Sequence, residues 1–404
     1  MWVVHRGFDT LTLAIKASIG PELLSFLEAE KEAAEAERET RLITYGGQDF
    51  HLRPYGGNGY SFILQAGRDG ASWFFKKPNR KDPWGTRVSV GSFFLANRGL
   101  GAAKAHIERT LDRLGIRYQP DDVSIARVDF CVDILAPHFV LDPDCFVMHS
   151  GTRRRDFLDG EPVAVNGKSG RVTSVTVGRP SARQVIVYDK RAEVIGRQKA
   201  YWWEIWNGNL AARGENLRIG PKSSCASLRG DKKSQNGVKN PPDRVWRIEF
   251  RAGKDVLRGR WNIRTWADLF DRYGDLCRST GELIRYCDPR GSDKNRSRWP
   301  NHPIWDIACA EINDDLLEMR SGCDPAVLKE VDRMQHISLI LRNIVGNGVT
   351  LAALEGQEPD ELPDWFLALG ERMRDTVEDD PERAAMHLAK AKERYVFVSA
   401  KCGR

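Results

Sequence analysis

At 404 residues, 41% hydrophobic and 29% charged, the chain has an ordinary globular composition and the length of two or three domains. It has no run of about 18 consecutive apolar residues, which sets aside a membrane span, and Met1-Trp-Val-Val-His-Arg-Gly7 lacks the regions of a secretory signal. Eight scattered cysteines without a Cys-x-x-Cys pair exclude a zinc ribbon and a disulfide framework, so a reducing cytoplasm is the simplest compartment.

The net charge of +6 hides an uneven distribution. Residues 1–150 carry 18 Lys+Arg against 19 Asp+Glu, residues 151–300 carry 32 against 17, and residues 301–404 carry 12 against 20. The thirds therefore net −1, +15 and −8. A middle third this basic points to a polyanionic partner.

In chain order, Leu11–Ile15 reads as a first strand, and Pro21 opens a helix that runs into the Glu/Ala/Lys/Arg-rich stretch to Arg41. Residues 42–95 read as short strands punctuated by Gly46-Gly47, Gly56-Gly57 and Gly67–Gly70. A helix follows over about Gly101–Leu114, then a strand over Ser124–Leu135. Thr173–Val177 and Gln184–Tyr188 form a hairpin around a basic turn containing Arg179 and Arg183. A Trp-rich helix occupies Tyr201–Trp206, residues 229–243 form a basic loop, and Arg244–Ala252 is a strand. From Trp261 onward the pattern is helical. The fold class expected is α+β: an antiparallel sheet with helices on one side and a helical C-terminal region. The domains expected are 1–260, in halves 1–120 and 121–260 with a basic insertion at 194–243, and then 261–404.

Two strands put charge on one face. Arg127, Asp129, Cys131 and Asp133 alternate with Val128, Phe130, Val132 and Ile134, and Arg247, Glu249 and Arg251 alternate with Trp246, Ile248 and Phe250. Carboxylates in strand interiors suit Mg²⁺ or Mn²⁺, or they pair with Arg127 and Arg247 on a wet sheet face. Between them lies Tyr188-Asp189-Lys190 with Glu193. A tyrosine is a poor nucleophile at neutral pH and needs a polarised phosphate or a base beside it. Asp189 and Glu193 lie close enough to help, and Lys190 can offset charge that develops in transfer. Arg153, Arg154, Arg155, Lys232 and Lys233 are candidates for phosphate contacts. No two histidines form a His-x-His or His-x-x-x-His pair, and no Walker Gly-x-x-x-x-Gly-Lys-Ser/Thr is present.

The ordered set Arg127/Asp129/Asp133, Gly178-Arg-Pro-Ser181, Tyr188-Asp-Lys190 with Glu193, and Arg247-Ile-Glu249 resembles the trans-acting Rep-type rolling-circle replication initiators of plasmids and phages, with the related conjugative relaxases. Asp9, the Gly56–Tyr60 hairpin and Gly91 are similar too, and the resemblance covers roughly residues 5–260. It implies an endonuclease that nicks one strand of origin DNA, single-stranded or extruded as a hairpin, with Tyr188 as nucleophile and Lys190 and Arg247 assisting. It further implies Mg²⁺ or Mn²⁺ held by Asp129 and Glu249, with Asp133, Asp189 or Glu193 as further ligands. A host helicase partner is implied by the missing ATPase motif, and no membrane is involved. The segment between Glu193 and Arg244 departs from the family pattern. A DNA-binding initiator or regulator without catalysis is the alternative.

Overall fold

The computed structural model describes residues 1–148, 163–168, 170–222, 244–289, 293, 295–312, 320 and 324–398. They fall into two compact units, Met1–Asp324 and Pro325–Arg404. The first is α+β, as its strand-rich sequence requires. Its elements begin with β1 (Trp2–Ile15), α1 (Pro21–Glu37), β2 (Arg41–Tyr45), β3 (Gln48–Leu52), β4 (Phe62–Gln65), β5 (Ala71–Phe75), β6 (Thr86–Val90) and α2 (Ser92–Arg113). They continue with β7 (Val123–Leu135), β8 (Phe146–Met148), β9 (Val163–Lys168), β10 (Arg171–Gly178), β11 (Arg183–Asp189), α3 (Lys190–Gly196), α4 (Tyr201–Ala212) and β12 (Val245–Gly253). Helix α5 (Trp266–Leu283), strand β13 (Ile284–Tyr286) and helix α6 (Pro303–Ala310) complete the unit.

Among the described residues, eleven strands form one sheet in the order β2-β3-β4-β5-β6-β1-β7-β12-β11-β10-β9, and its pairings are antiparallel. Sequence punctuation explains the hairpins. Gly46 and Gly47 both have positive φ, 57° and 70°, in the two-residue link from β2 to β3, the conformation a tight hairpin needs. Gly178, at φ 98°, starts the basic β10–β11 turn, where the Arg179 amide donates to the Arg183 carbonyl at 3.1 Å.

The longest strands, β1 and β7, sit together at the centre and pair from Trp2–Leu135 to Ile15–Val123. Their apolar residues and those of β12 face α5 and α6. Phe8, Phe130 and Phe250 are buried there with Leu269, Tyr273 and Trp305. Phe250 lies 5.6 Å from the Trp305 ring, and the Tyr273 hydroxyl donates to the Val128 carbonyl at 2.8 Å. Helix α5 starts where it does because Thr265 and Asp268 form a capping box. These contacts correct the expected boundary at 260/261. Helices α5 and α6 bury their aromatics on the sheet, so the compact unit extends to Asp324. The Trp-rich helix α4 lies on the opposite, polar side of the central strands. Trp202 and Trp206 are fully buried, so they anchor that helix and do not offer open stacking surfaces.

The second unit contains α7 (Pro325–Leu354), α8 (Leu362–Asp379) and α9 (Pro381–Arg394). A Cβ at Gly348 of α7 would meet the Phe366 ring of α8 at 2.5 Å, so the glycine permits their close approach. The Trp365 indole donates to Glu355 at 2.8 Å, and Arg372 pairs with the same carboxylate at 2.9 Å. By length and composition α7 is long and apolar enough to cross a membrane, with a mean hydropathy of 1.5 over its best window. A search for unbroken apolar runs misses it because Arg342, Asn343 and Asn347 interrupt the run.

Gly253 ends β12 against the basic turn. Its amide donates to the Ala182 carbonyl at 2.6 Å, and an added Cβ would collide with the Pro180 carbonyl oxygen. Gly253→Ala is expected to lower stability by about 1–3 kcal/mol through overpacking, measured by urea unfolding. An unchanged midpoint would show that the turn yields without cost.

Candidate active site on the polar face of the central strands

The strand register brings the charged residues into rows. Asp133 lies opposite Arg247, which lies opposite Tyr188; Cys131 lies opposite Glu249, which lies opposite Ile186; Asp129 lies opposite Arg251. On the other side of β7, His5 lies opposite Asp133 and Thr10 opposite Asp129. A register shift between Phe8 and Thr10 leaves Asp9 as an inserted residue, and such a bulge re-aims a side chain. Asp9 thereby reaches across to Arg247.

Arg247 is fully buried. It donates to Asp133 at 2.5 and 2.7 Å, also pairs with Asp9, and lies 4.4 Å from the Trp202 ring. The Trp206 indole donates to Asp133 at 2.9 Å. Burial alone would raise both carboxylates, but Arg247 outweighs it and holds Asp133 below its ordinary range and Asp9 at about 2. His5 is buried on this face with no partner at either ring nitrogen, edge-on to Trp202 at 5.0 Å, and burial lowers it to about 4.

A second group lies two residues along the strands. Asp129 accepts from Arg127 at 2.9 and 3.0 Å and pairs with Arg251 at 3.3 Å. Arg251 also donates to Glu249 at 3.0 Å and to the Gln184 side chain at 2.9 Å. Burial raises Asp129. Glu249 is raised to about 7, by burial first and then by repulsion from Asp9 and Asp129. Two carboxylates on one face, Asp9 and Glu249, are thus driven far apart, which marks this face as a candidate site.

Tyr188, partly exposed at the end of β11, has the Lys190 ammonium 3.4 Å from its hydroxyl. Burial, the largest influence, pushes its phenol well above the ordinary value. Lys190 is itself buried, pairs with Glu193 at 2.7 Å and lies 5.0 Å from the Trp202 ring. Glu193 also pairs with Lys199 at 2.9 Å. Asp189 caps α3 by accepting from the Ala192 amide at 2.9 Å and pairs with Arg171 at 3.3 Å.

The structure therefore gathers Tyr188, Lys190, Arg247, Asp129, Asp133 and Glu249 on one face. Asp189 and Glu193 stand beside Tyr188 with cap and ion-pair duties. Arg179 and Arg183 lie in the β10–β11 turn at the other end of the strands. Arg153, Arg154, Arg155, Lys232 and Lys233 lie outside the described residues. Sequence reasoning passed over Arg251 as a bridge, Asp9 as a site residue, and His5 altogether. Arg251 could have been found from its strand alternation; the bulge that aims Asp9 has no sequence mark.

For a divalent metal, the donors do not fit as folded. Among the described residues no three His, Cys, Asp or Glu side chains form a group able to hold an ion. Arg251 pairs with both Asp129 and Glu249, and Arg247 occupies Asp133. Charge balance on this face is supplied by guanidinium groups.

No protein-family model and no curated protein matches the chain. Among solved structures, the rolling circle replication initiator protein from Geobacillus stearothermophilus is similar at 13% identity, over 78% of this chain and 99% of that one, with a TM-score of 0.36.

An acid raised on folding, such as Glu249, keeps its proton in the folded state when the unfolded chain has lost it. Stability is then full at the acid end and falls as the pH rises through the window from 4.5 to about 7. Glu249→Gln removes that dependence. Relative to the parent, the variant should gain up to about 3 kcal/mol between pH 4.5 and pH 8, read from urea unfolding at both values. A pH-independent difference would place Glu249 near its ordinary range.

Proposed function

We propose that the chain is a DNA-nicking and joining enzyme that initiates rolling-circle replication at an origin, with Tyr188 as nucleophile. The observation that carries this reading is the convergence of four separated segments on adjacent strands, with the Tyr188 hydroxyl beside Lys190 and on the same face as Glu249. Glu249 is the diagonal cross-strand neighbour of Tyr188, about 7–8 Å away at Cα and within reach of its long side chain.

The chemistry follows from those positions. The Tyr188 hydroxyl oxygen attacks a backbone phosphorus, and its proton passes to Glu249, which at about 7 accepts it near neutral pH. The P–O3′ bond breaks and the departing 3′ oxygen takes a proton from solvent, leaving a 3′ hydroxyl and a 5′-phosphotyrosine. Lys190 offsets the charge that grows on the phosphoryl oxygens. Arg247 positions: it fixes Asp9, Asp133 and Trp202 around the row that holds Tyr188. Joining is the same step reversed, with a 3′ hydroxyl attacking the phosphotyrosine. Origin DNA is the partner in this reading.

One observation favours a second reading. The Tyr188 phenol is held far from ionisation and every carboxylate around it has a cation, which suits a DNA-binding initiator without catalysis. Incubation with single-stranded origin oligonucleotides from the encoding element, in Mg²⁺, Mn²⁺ or chelator, separates the two. A covalent DNA–peptide adduct mapped to Tyr188 by mass spectrometry is the expected result, and Tyr188→Phe should abolish it while retaining DNA affinity. An adduct persisting in Tyr188→Phe moves the nucleophile elsewhere. Salt-sensitive binding without adduct in any condition selects the non-catalytic reading.

A further inference from the structure

We propose that a cavity at the opposite end of the central strands is a second site, which holds a backbone phosphate of the DNA; this rests on the reading of the substrate as DNA. The cavity, about 410 Å³, is lined by Lys16 after β1, Trp84 before β6, Ser124 at the start of β7, Arg258 after β12, and Arg264 and Thr265 before α5. Its size is that of small-ligand sites.

Three features make it an anion site. First, its cations are held together by something other than carboxylates. The Lys16 ammonium and the Arg258 guanidinium each lie 5.3 Å from the Trp84 ring, so the indole face offsets part of their repulsion. Arg258 also donates to the Ser124 hydroxyl. Second, among the described residues no ion pair joins Lys16, Arg258 or Arg264 to a carboxylate. Asp121 and Asp268 line the same space, but Asp268 is turned to the helix cap, accepting from the Arg264 and Thr265 amides at 3.1 and 2.9 Å. Third, a donor is left over. Arg258 Nε is buried without a partner. Burial and the neighbouring Arg264 both lower the Arg258 pKa, which marks an uncompensated positive charge.

The surroundings extend this chemistry. Arg183 pairs with Ala252 at the same end of the sheet, is half-buried, and has Nε and one terminal nitrogen without partners. Burial and then Arg260 lower it to about 10. Fork-shaped guanidinium donors suit phosphate oxygens. Ser124 precedes Asp133 by nine residues on β7, and Asp133 stands in the Tyr188 row. At about 3.3 Å per residue the cavity lies roughly 30 Å from the nucleophile, about nine phosphates along one strand of the B-form stem of an extruded origin hairpin.

The test uses the full chain and fluorescence anisotropy with origin DNA over a salt series. Lys16→Glu/Arg264→Glu changes two exposed side chains, and Arg258→Gln changes the inner one; thermal melting checks that both stay folded. The slope of log affinity against log salt should fall by about 2 for the double variant, with at least tenfold weaker binding near 0.15 M salt. Phosphate ethylation about nine nucleotides from the nick should also stop interfering with binding. An unchanged slope in both variants, with the parent still binding DNA, overturns the cavity assignment and leaves the proposed function standing. Binding of deoxynucleoside monophosphate or inorganic phosphate that these variants abolish, without any change in DNA slope, also overturns it and assigns the cavity to free nucleotides. A parent chain without DNA affinity at low salt removes the proposed function and the cavity assignment together.

Discussion

The polar face depends on one buried guanidinium. Arg247 sits in β12 with no exposure, and it joins β7 through Asp133, β1 through Asp9 and helix α4 through Trp202. A buried charge is tolerated only where it is paired and its donors are used. Here its contacts come from three other elements, so the register of β12 on β7, the bulge that aims Asp9 and the seating of α4 are coupled. Losing Arg247 would leave the buried Asp133 and Asp9 without their shared cation. Such a lattice adds little net stability compared with apolar packing; what it fixes is the direction of each side chain.

The same arginine sets the proton chemistry. Asp9 and Glu249 share one buried face, and burial disfavours the charged form of both. Arg247 reaches Asp9 and drives it down to about 2, while Arg251 divides its attention between Asp129 and Glu249, leaving Glu249 at about 7. The separation comes from Arg247 pairing with Asp9, while burial and then repulsion from Asp9 and Asp129 raise Glu249 by more than Arg251 and Arg247 lower it. It leaves Asp9 and Asp133 as fixed anions, and Glu249 as a group whose proton exchange falls near neutrality.

Much of this was legible in the sequence where periodicity determines geometry. The alternation in Arg127–Asp133 and Arg247–Arg251 names the residues of one face correctly, because a strand permits no other assignment. The hairpins at Gly46-Gly47 and Gly178 are legible for the same reason: only glycine takes those backbone angles easily. What the sequence hides is contact between distant segments. Nothing in Asp9 announces a bulge, and nothing in Trp202 or Trp206 says whether an indole anchors a helix or stacks on a base. The extent of the first unit was missed because α5 and α6 have the amphipathic pattern of any helix, and only the packing of Tyr273 and Trp305 shows which sheet they cover. The apolar character of α7 was missed because a few polar residues break an otherwise hydrophobic run.

Antiparallel pairing gives the central strands two chemically different ends. At one end the starts of β1 and β12 meet the ends of β7 and β11, and there lie His5, Asp133, Arg247 and Tyr188. At the other end the finish of β1 and β12 meets the starts of β7 and β11, and there lie Lys16, Ser124, Arg183 and the arginines that follow β12. In the proposed reading, an extended polyanion laid along the strands would have its backbone held by the cations at one end and presented to Tyr188 at the other. Affinity and reactivity are then separable along the polymer. Phosphate contacts remote from the reacting bond supply binding energy and positioning, and the reactive end can afford a tyrosine that is inert until a phosphate is brought to it. In the proposed nicking reading, a phenol held protonated by its surroundings stays inert until the DNA is in place.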